Sequence, residues 1–385
     1  MKIAVVHSFY ASAQPSGENV TVRDQVRALR GAGHDVELFA AHTDELARDP
    51  FYALRAAARV ASGRGHNPLA RLRAYAPDIV HIHNLFPNFG RSWVREWQGA
   101  LVATLHNFRP LCAAATLYRG GAECTRCLDG DRWAGMRYGC YRSSRVTTFP
   151  LAWAGRHGPA ADPLLARADQ LVVLSALSRR TYARAGVPSE RLDLVPNFVR
   201  VPHSEATGDN GRWLVAARLT AEKGVLELVR QWPGDQPLDV VGDGELLAAC
   251  RAAAPSSVRF LGHLDRDDLL SRMPSWCGLV FPSRWYEGMP LVYSEALAAG
   301  LPVIAFEGSA VTEAVRESGT GLVAQWDQPL APLLARAADT FPGLRAHCRQ
   351  VYAEHFTESA WTARIGRTYE EAVRANSRLA AAVQK

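Results

Sequence analysis

The chain has 385 residues, 48% of them hydrophobic, which is too long for one ordinary domain and apolar enough for substantial cores. No apolar run reaches about 18 residues, which excludes a spanning helix, and the opening MKIAVVHSFYASAQPSGEN turns polar too soon for a secretory signal, so a cytoplasmic location is expected. The net charge of +6 is uneven, with 26 Lys+Arg against 16 Asp+Glu in residues 1–200 and 18 against 22 in the rest. A basic first half suits an anionic membrane surface or an acidic acceptor, whereas its dispersed arginines, with no interleaved aromatic signature, argue against nucleic acid.

In chain order, KIAVVHS reads as a buried parallel strand, and SGENVTVRDQVRALRGAGHDVELFA as a helix with Val22, Val26 and Leu29 on one face, a glycine stop and a second strand. Strand-like runs recur at DIVHIH, ALVATLH and QLVVLS with helical stretches between most of them. The alternation predicts a doubly wound parallel sheet over residues 1–200. A segment rich in Pro, Asn, Gly and Ser then predicts a linker over 201–211. The second α/β series, 212–355, runs through RWLVAAR, LDVVGD, VRFLGH, CGLVFPS, PVIAFE and GLVAQ, and a helical tail occupies 356–385. Ligands of such sheets bind outside the carboxyl ends of the strands, and two such domains would offer a cleft.

In the second half, SRWYEGMPLVYSEALAAG places Glu287 before Gly288 and Pro290, and Glu295 eight residues on. Pro290 suits the first helical position and Gly300 the stop, predicting a helix of about three turns. Unpaired amides around Met289, Leu291 and Val292 would lie between the carboxylates as an anion site. A ligand with a phosphate in the middle and hydroxyls at either end, such as a nucleotide-sugar, fits that layout; an ordinary solvated helix fits the helix alone. Upstream, VAARLTAEKG places Arg218 and Lys223 at a strand–helix junction, where they would clamp a diphosphate or stand as surface cations. VVGDGELL is a glycine turn at Gly242 and Gly244, but Leu247 stands where a dinucleotide fingerprint has its third glycine. The turn serves either backbone approach to a ligand or the fold itself.

Together these motifs, in this order and spacing over 213–306, resemble glycosyltransferase family 4, retaining nucleotide-sugar enzymes of the GT-B fold. The likeness extends more loosely through HDVELFA, DIVHIHNLF, ATLHNF and LVPNFV. It implies two Rossmann-like domains facing across a cleft, the first taking the acceptor and the second the donor, with the last helix crossing back to the first. It also implies roles. Arg218 and Lys223 hold the diphosphate and stabilise the leaving group, Glu295 binds the ribose, and Glu287 contacts the donor sugar, with the amides of Gly288, Met289, Pro290 and Leu291 around sugar and phosphate (Pro290 itself having no N–H). Gly17 matches the early glycine loop near the diphosphate, although Ser16 replaces a second glycine, and His106 touches the donor sugar or assists near the acceptor. The expected activity is metal-independent, retaining transfer from a UDP- or GDP-sugar to a saccharide or lipid-linked acceptor, in bacterial surface polysaccharide or lipopolysaccharide synthesis. The alternatives are a nucleotide-sugar epimerase of the same fold and a non-catalytic nucleotide-sugar-binding protein.

Three further readings concern the first half. His81 and His83 alternate along one strand and are expected on opposite faces, so that they do not serve one site. Asn84 and Asn107 follow strands and are candidates to line the acceptor side. The segment 107–145 holds Cys112, Cys124, Cys127 and Cys140, whose Cys-x-x-Cys spacing suits a structural zinc, the alternative being packed, reduced thiols. The basic stretch FYALRAAARVASGRGHNPLARLRAYA is either a helix lying on an anionic membrane, giving a peripheral location, or an ordinary helix with a solvated face.

Overall fold

The computed structural model describes residues 1–12, 17–201 and 210–383. The chain forms two compact units, one built from Met1–Leu117, Cys124–Val195 and Trp361–Lys385, the other from Tyr118–Glu123 and Pro196–Ala360. Most of the linker expected over 201–211, namely 202–209, lies outside the described residues, as does Ser16.

The first unit carries strands β1 (Lys2–Phe9), β2 (Asp35–His42), β3 (Ile79–Asn84) and β4 (Ala100–Leu105), then, beyond the hairpin β5 (Tyr118–Arg119) and β6 (Ala122–Glu123), strands β7 (Gln170–Val173) and β8 (Leu192–Leu194). Its parallel sheet has the order β2-β1-β3-β4-β7-β8. All six residues of β3 and of β4 are buried, as expected of strands covered on both faces. In the β1–β3 pairing the register shifts between Val6 and His7, setting His7 opposite Asn84; an irregularity there re-aims the strand end.

The final helix, Glu358–Val383, lies in the first unit from Trp361 onward. Trp361, Ile365, Tyr369 and Ala372 form its buried stripe, spaced by helical turns. The Tyr369 hydroxyl is 2.8 Å from His81 Nδ1, tying the tail to the centre of the sheet.

The second unit repeats the architecture with β9 (Trp213–Ala216), β10 (Leu238–Val241), β11 (Val258–Gly262), β12 (Gly278–Phe281), β13 (Val303–Phe306) and β14 (Gly321–Ala324), in the order β11-β10-β9-β12-β13-β14. Alternation along β9 divides the core, Trp213 and Val215 entering one apolar cluster and Leu214 the other.

Two local expectations are corrected. The basic stretch is two helices, Tyr52–Ser62 and Leu69–Tyr75, because Gly63 turns left-handed (φ 71°) and Pro68 follows. Arg55 pairs with Asp49 at 2.6 Å and Arg71 with Glu37 at 2.9 Å, so its basic face is partly neutralised. The helix after Glu287 is shorter than three turns: it spans Leu291–Ala298, with Pro290 extended at the N-cap (ψ 133°). Its end is as read. Gly300 is left-handed, its N–H meets Leu297 O, and Leu301 N–H reaches back to Ala296 O. Among the described residues no helix is long and apolar enough to cross a membrane.

Candidate functional site

In the second unit the strand order reverses between β9 and β12, so the loops after these strands flank the switch point where such sheets bind ligands. The loop after β9 carries Arg218 and Lys223; the loop after β12 carries Ser283, Trp285 and Glu287. Glycines knit these loops together. A Cβ on Gly224 would stand 2.1 Å from Pro282 O, one on Gly242 1.9 Å from Ala217 O, and one on Gly244 2.5 Å from Leu219 O. The VGDG turn is thus required by the approach of backbone to backbone.

Lys223 Nζ lies 2.6 Å from Glu287 Oε1. The same oxygen accepts from Ser283 Oγ and Trp285 Nε1, each at 2.8 Å. Burial opposes ionisation of Glu287, but the Lys223 ammonium and these hydrogen bonds outweigh it and hold its carboxyl below its ordinary range. The Arg218 side chain is exposed and makes no ion pair or hydrogen bond among the described residues. Gly288, Met289 and Pro290 lead from Glu287 into the helix Leu291–Ala298, whose first-turn N–H groups have no partner within it. Glu295 is buried on that helix and takes Arg266 Nε at 2.7 Å. Sequence reading missed Arg266, which lies 29 residues from its partner and carries no local signal. It also missed Ser283 and Trp285, whose spacing of four and two before Glu287 was the available hint.

The first unit reverses its order between β1 and β3. Gly17 opens the helix Gly17–Gly31, with Glu18 in its first turn. Glu18 Oε1 is buried without a hydrogen-bond partner, 4.0 Å from His7 Nδ1, itself buried and unpartnered. Burial drives the Glu18 carboxyl up to about 8, against a hydrogen bond from Asn84 and the charge of Arg109. Burial likewise pulls His7 down to about 4. Asn84 also donates to the Tyr10 hydroxyl at 2.9 Å, while Asn107 accepts from Arg109 N–H at 3.0 Å to shape its own loop.

His81 and His83 share one face, with ring centroids 4.1 Å apart, because residues two apart on a strand point the same way; the opposite-face expectation miscounted the period. His83 Nδ1 is 2.9 Å from His106 Nε2. Burial, reinforced by His7 and His81, lowers His106 to about 3, so it meets any ligand as a neutral imidazole.

The four insertion cysteines share one neighbourhood: Cys112, Cys140 and Cys124 join burial in pushing the Cys127 thiol up to about 11. Yet no group of three or more His, Cys, Asp or Glu among the described residues has an arrangement that could hold a metal. The side chains as placed do not fit the expected zinc.

Two doubly wound sheets, each with polar residues gathered at its switch point, are the architecture of the GT-B glycosyltransferases. Residues 15–201 match the family model Glycosyltransferase Family 4 and residues 211–339 the model Glycosyl transferases group 1. The chain belongs to this glycosyltransferase family. It is 27% identical over 327 residues to the glycogen synthase of Mycobacterium tuberculosis, covering 81% of this chain and 70% of that one. It is 26% identical over 218 residues to the amylovoran biosynthesis glycosyltransferase AmsK of Erwinia amylovora, 50% of this chain and 54% of that one. The Anabaena HepE structure in complex with UDP-glucose shares the fold with a TM-score of 0.58 at 15% identity, covering 96% and 99% of the two chains.

Proposed function

We propose that the chain transfers a sugar, with retention, from a UDP- or GDP-sugar to a saccharide or lipid-linked acceptor in bacterial surface polysaccharide or lipopolysaccharide synthesis. The observation that carries this is the Lys223–Glu287 pair at the switch point, beside an unpaired Arg218 and an open helix N-terminus. Breaking the sugar–phosphate bond puts positive charge on the anomeric carbon and negative charge on the departing diphosphate. Lys223, Arg218 and the N–H groups of Leu291 and Val292 are fixed donors for the second charge and need no reorganisation. The acceptor oxygen bonds to the anomeric carbon on the face the diphosphate leaves, and its proton passes to a leaving phosphate oxygen. Glu287 orients the sugar hydroxyls and Glu295 the ribose. HepE with UDP-glucose and AmsK in amylovoran biosynthesis support the donor class and the pathway. The enzyme works in the cytoplasm, at the inner face of the membrane when the acceptor is lipid-linked.

The test is thermal stabilisation of the full chain by a panel of nucleotide diphosphates and their sugars, since a ligand of the folded state raises its stability by mass action. One nucleotide should shift the transition selectively. Incubation of that donor without acceptor should return no isomerised sugar, the outcome an epimerase would give. A folded sample indifferent to every nucleotide overturns the reading.

A further inference from the structure

The helix Arg145–Gly155, in the first unit, is apolar on two sides. Leu151, Ala152, Ala154 and Gly155 form one wall of a pocket that opens to solvent. On the outer side Val146, Phe149 and Trp153 follow helical spacing at 82%, 45% and 41% exposure. Trp133 extends this stripe, its ring 6.4 Å from both Phe149 and Trp153, and Arg156 lies 4.2 Å over the Trp153 ring. A contiguous aromatic surface in water marks a contact face, and aromatic rings beside arginine suit the boundary between hydrocarbon and headgroups.

The pocket's charged lining is four arginines and one carboxylate. Arg91 is matched to Asp162 at 2.8 Å. Arg59, Arg109 and Arg132 have no carboxylate at ion-pair distance among the described residues; they rest on the backbone carbonyls of Pro87, Ala113 and Cys127. Arg59 Nε is buried with no partner at all. Carbonyls orient a guanidinium but leave its charge uncompensated, and walls such as Phe86, Phe89 and Leu151 strengthen its pull on an anion. Three uncompensated guanidiniums in an apolar pocket call for a ligand that is both anionic and greasy.

We propose that this pocket binds the phosphate or diphosphate of a lipid-linked acceptor, the guanidiniums of Arg59, Arg109 and Arg132 around the phosphate and the hydrocarbon along the helix Arg145–Gly155. The inference rests on the glycosyl-transfer reading for the word acceptor, and it selects the lipid-linked class over a free saccharide.

Calorimetric titration of the full chain with farnesyl diphosphate below its micelle concentration tests it, with farnesol, inorganic pyrophosphate and phosphatidylglycerol vesicles as comparators. Farnesyl diphosphate should bind at least about ten-fold more tightly than farnesol or pyrophosphate. Arg59→Gln and Arg132→Gln should each weaken it by about ten-fold, the worth of one charge-assisted hydrogen bond. Trp153→Ser, outside the pocket, controls for a general loss of packing. Stabilisation by the nucleotide diphosphate should survive in all three variants and so report folding. Equal binding of pyrophosphate makes the pocket a plain anion site, equal binding of farnesol a plain apolar one, and vesicle binding without soluble binding a surface contact; each overturns the proposal. A nucleotide response without farnesyl diphosphate binding defeats this inference alone. Farnesyl diphosphate binding with no response to any nucleotide defeats the donor reading and leaves the pocket standing.

Discussion

Lys223 Nζ and Glu287 Oε1, 64 residues apart in sequence, meet at 2.6 Å on the loops that follow the two strands flanking the second sheet's switch point. The ammonium is therefore held in place before any diphosphate arrives, and the carboxylate stays ionised despite its burial. Lys223→Ala should lower turnover by about 10²-fold, the size of one fixed donor to a developing charge. It also leaves Glu287 with its neighbours Ser283 and Trp285 but without its counter-charge, at a cost of about 1–3 kcal/mol. Adding Glu287→Gln should restore the lost stability without restoring turnover. Near-normal turnover in folded Lys223→Ala protein would remove Lys223 from the mechanism.

Glu295 is predicted to act through binding alone. Its carboxylate is occupied by Arg266 at 2.7 Å, so a ribose must share that carboxylate or replace the guanidinium. Glu295→Ala should weaken the bare nucleotide diphosphate by about 2 kcal/mol, roughly 30-fold in Kd. Arg266→Ala, which frees the carboxylate, should leave affinity equal or better. Weaker binding in Arg266→Ala would make the arginine itself a ligand group. Calorimetric titration of the two variants separates the cases.

The sheets were legible because β1 and β4 are largely apolar runs ended by polar turns, and a buried parallel strand has no other compact place to go. Gly300 was legible as a helix stop because only a left-handed residue completes that cap. The partners of the site were less so. Lys223 and Glu287 could be named singly, but that they form a pair depends on β9 and β12 being neighbours, a fact of strand order. Arg266 reaches Glu295 for the same nonlocal reason. The His81 and His83 error came from the period itself, while the outward stripe of Val146, Phe149 and Trp153 lies on the helix Arg145–Gly155, just beyond the cysteine segment 107–145 where the reading stopped.

Metal dependence follows from where the positive charge resides. In the proposed mechanism Lys223, Arg218 and the first-turn amides of the helix Leu291–Ala298 meet the departing diphosphate without a cation, so EDTA at millimolar concentration should leave turnover within about two-fold. A loss of about ten-fold or more, restored by magnesium or manganese, would show that these groups need a cation beside them.

The last prediction turns on Glu18. Burial holds its carboxyl at about 8, with His7, Tyr10, Asn84 and Arg109 around it. Between pH 4.5 and 8 the folded protein therefore keeps a proton that the unfolded chain has released. The contribution of this group is fully present below about pH 4.5 and is lost as pH rises through about 8. His7, drawn down to about 4, works in the opposite sense: its contribution is present above its ordinary 6.5 and is lost as pH falls toward 4. Glu18→Gln keeps the shape and removes only the first effect. The variant's Tm should gain on the native chain steadily from pH 5 to pH 8, by at least about 3 °C at the upper end, while the acid-side loss from His7 stays the same in both. A Tm difference that does not change with pH would mean that Glu18 ionises as an ordinary surface carboxyl, and that the polar cluster at the first sheet's switch point is wetter than its burial indicates.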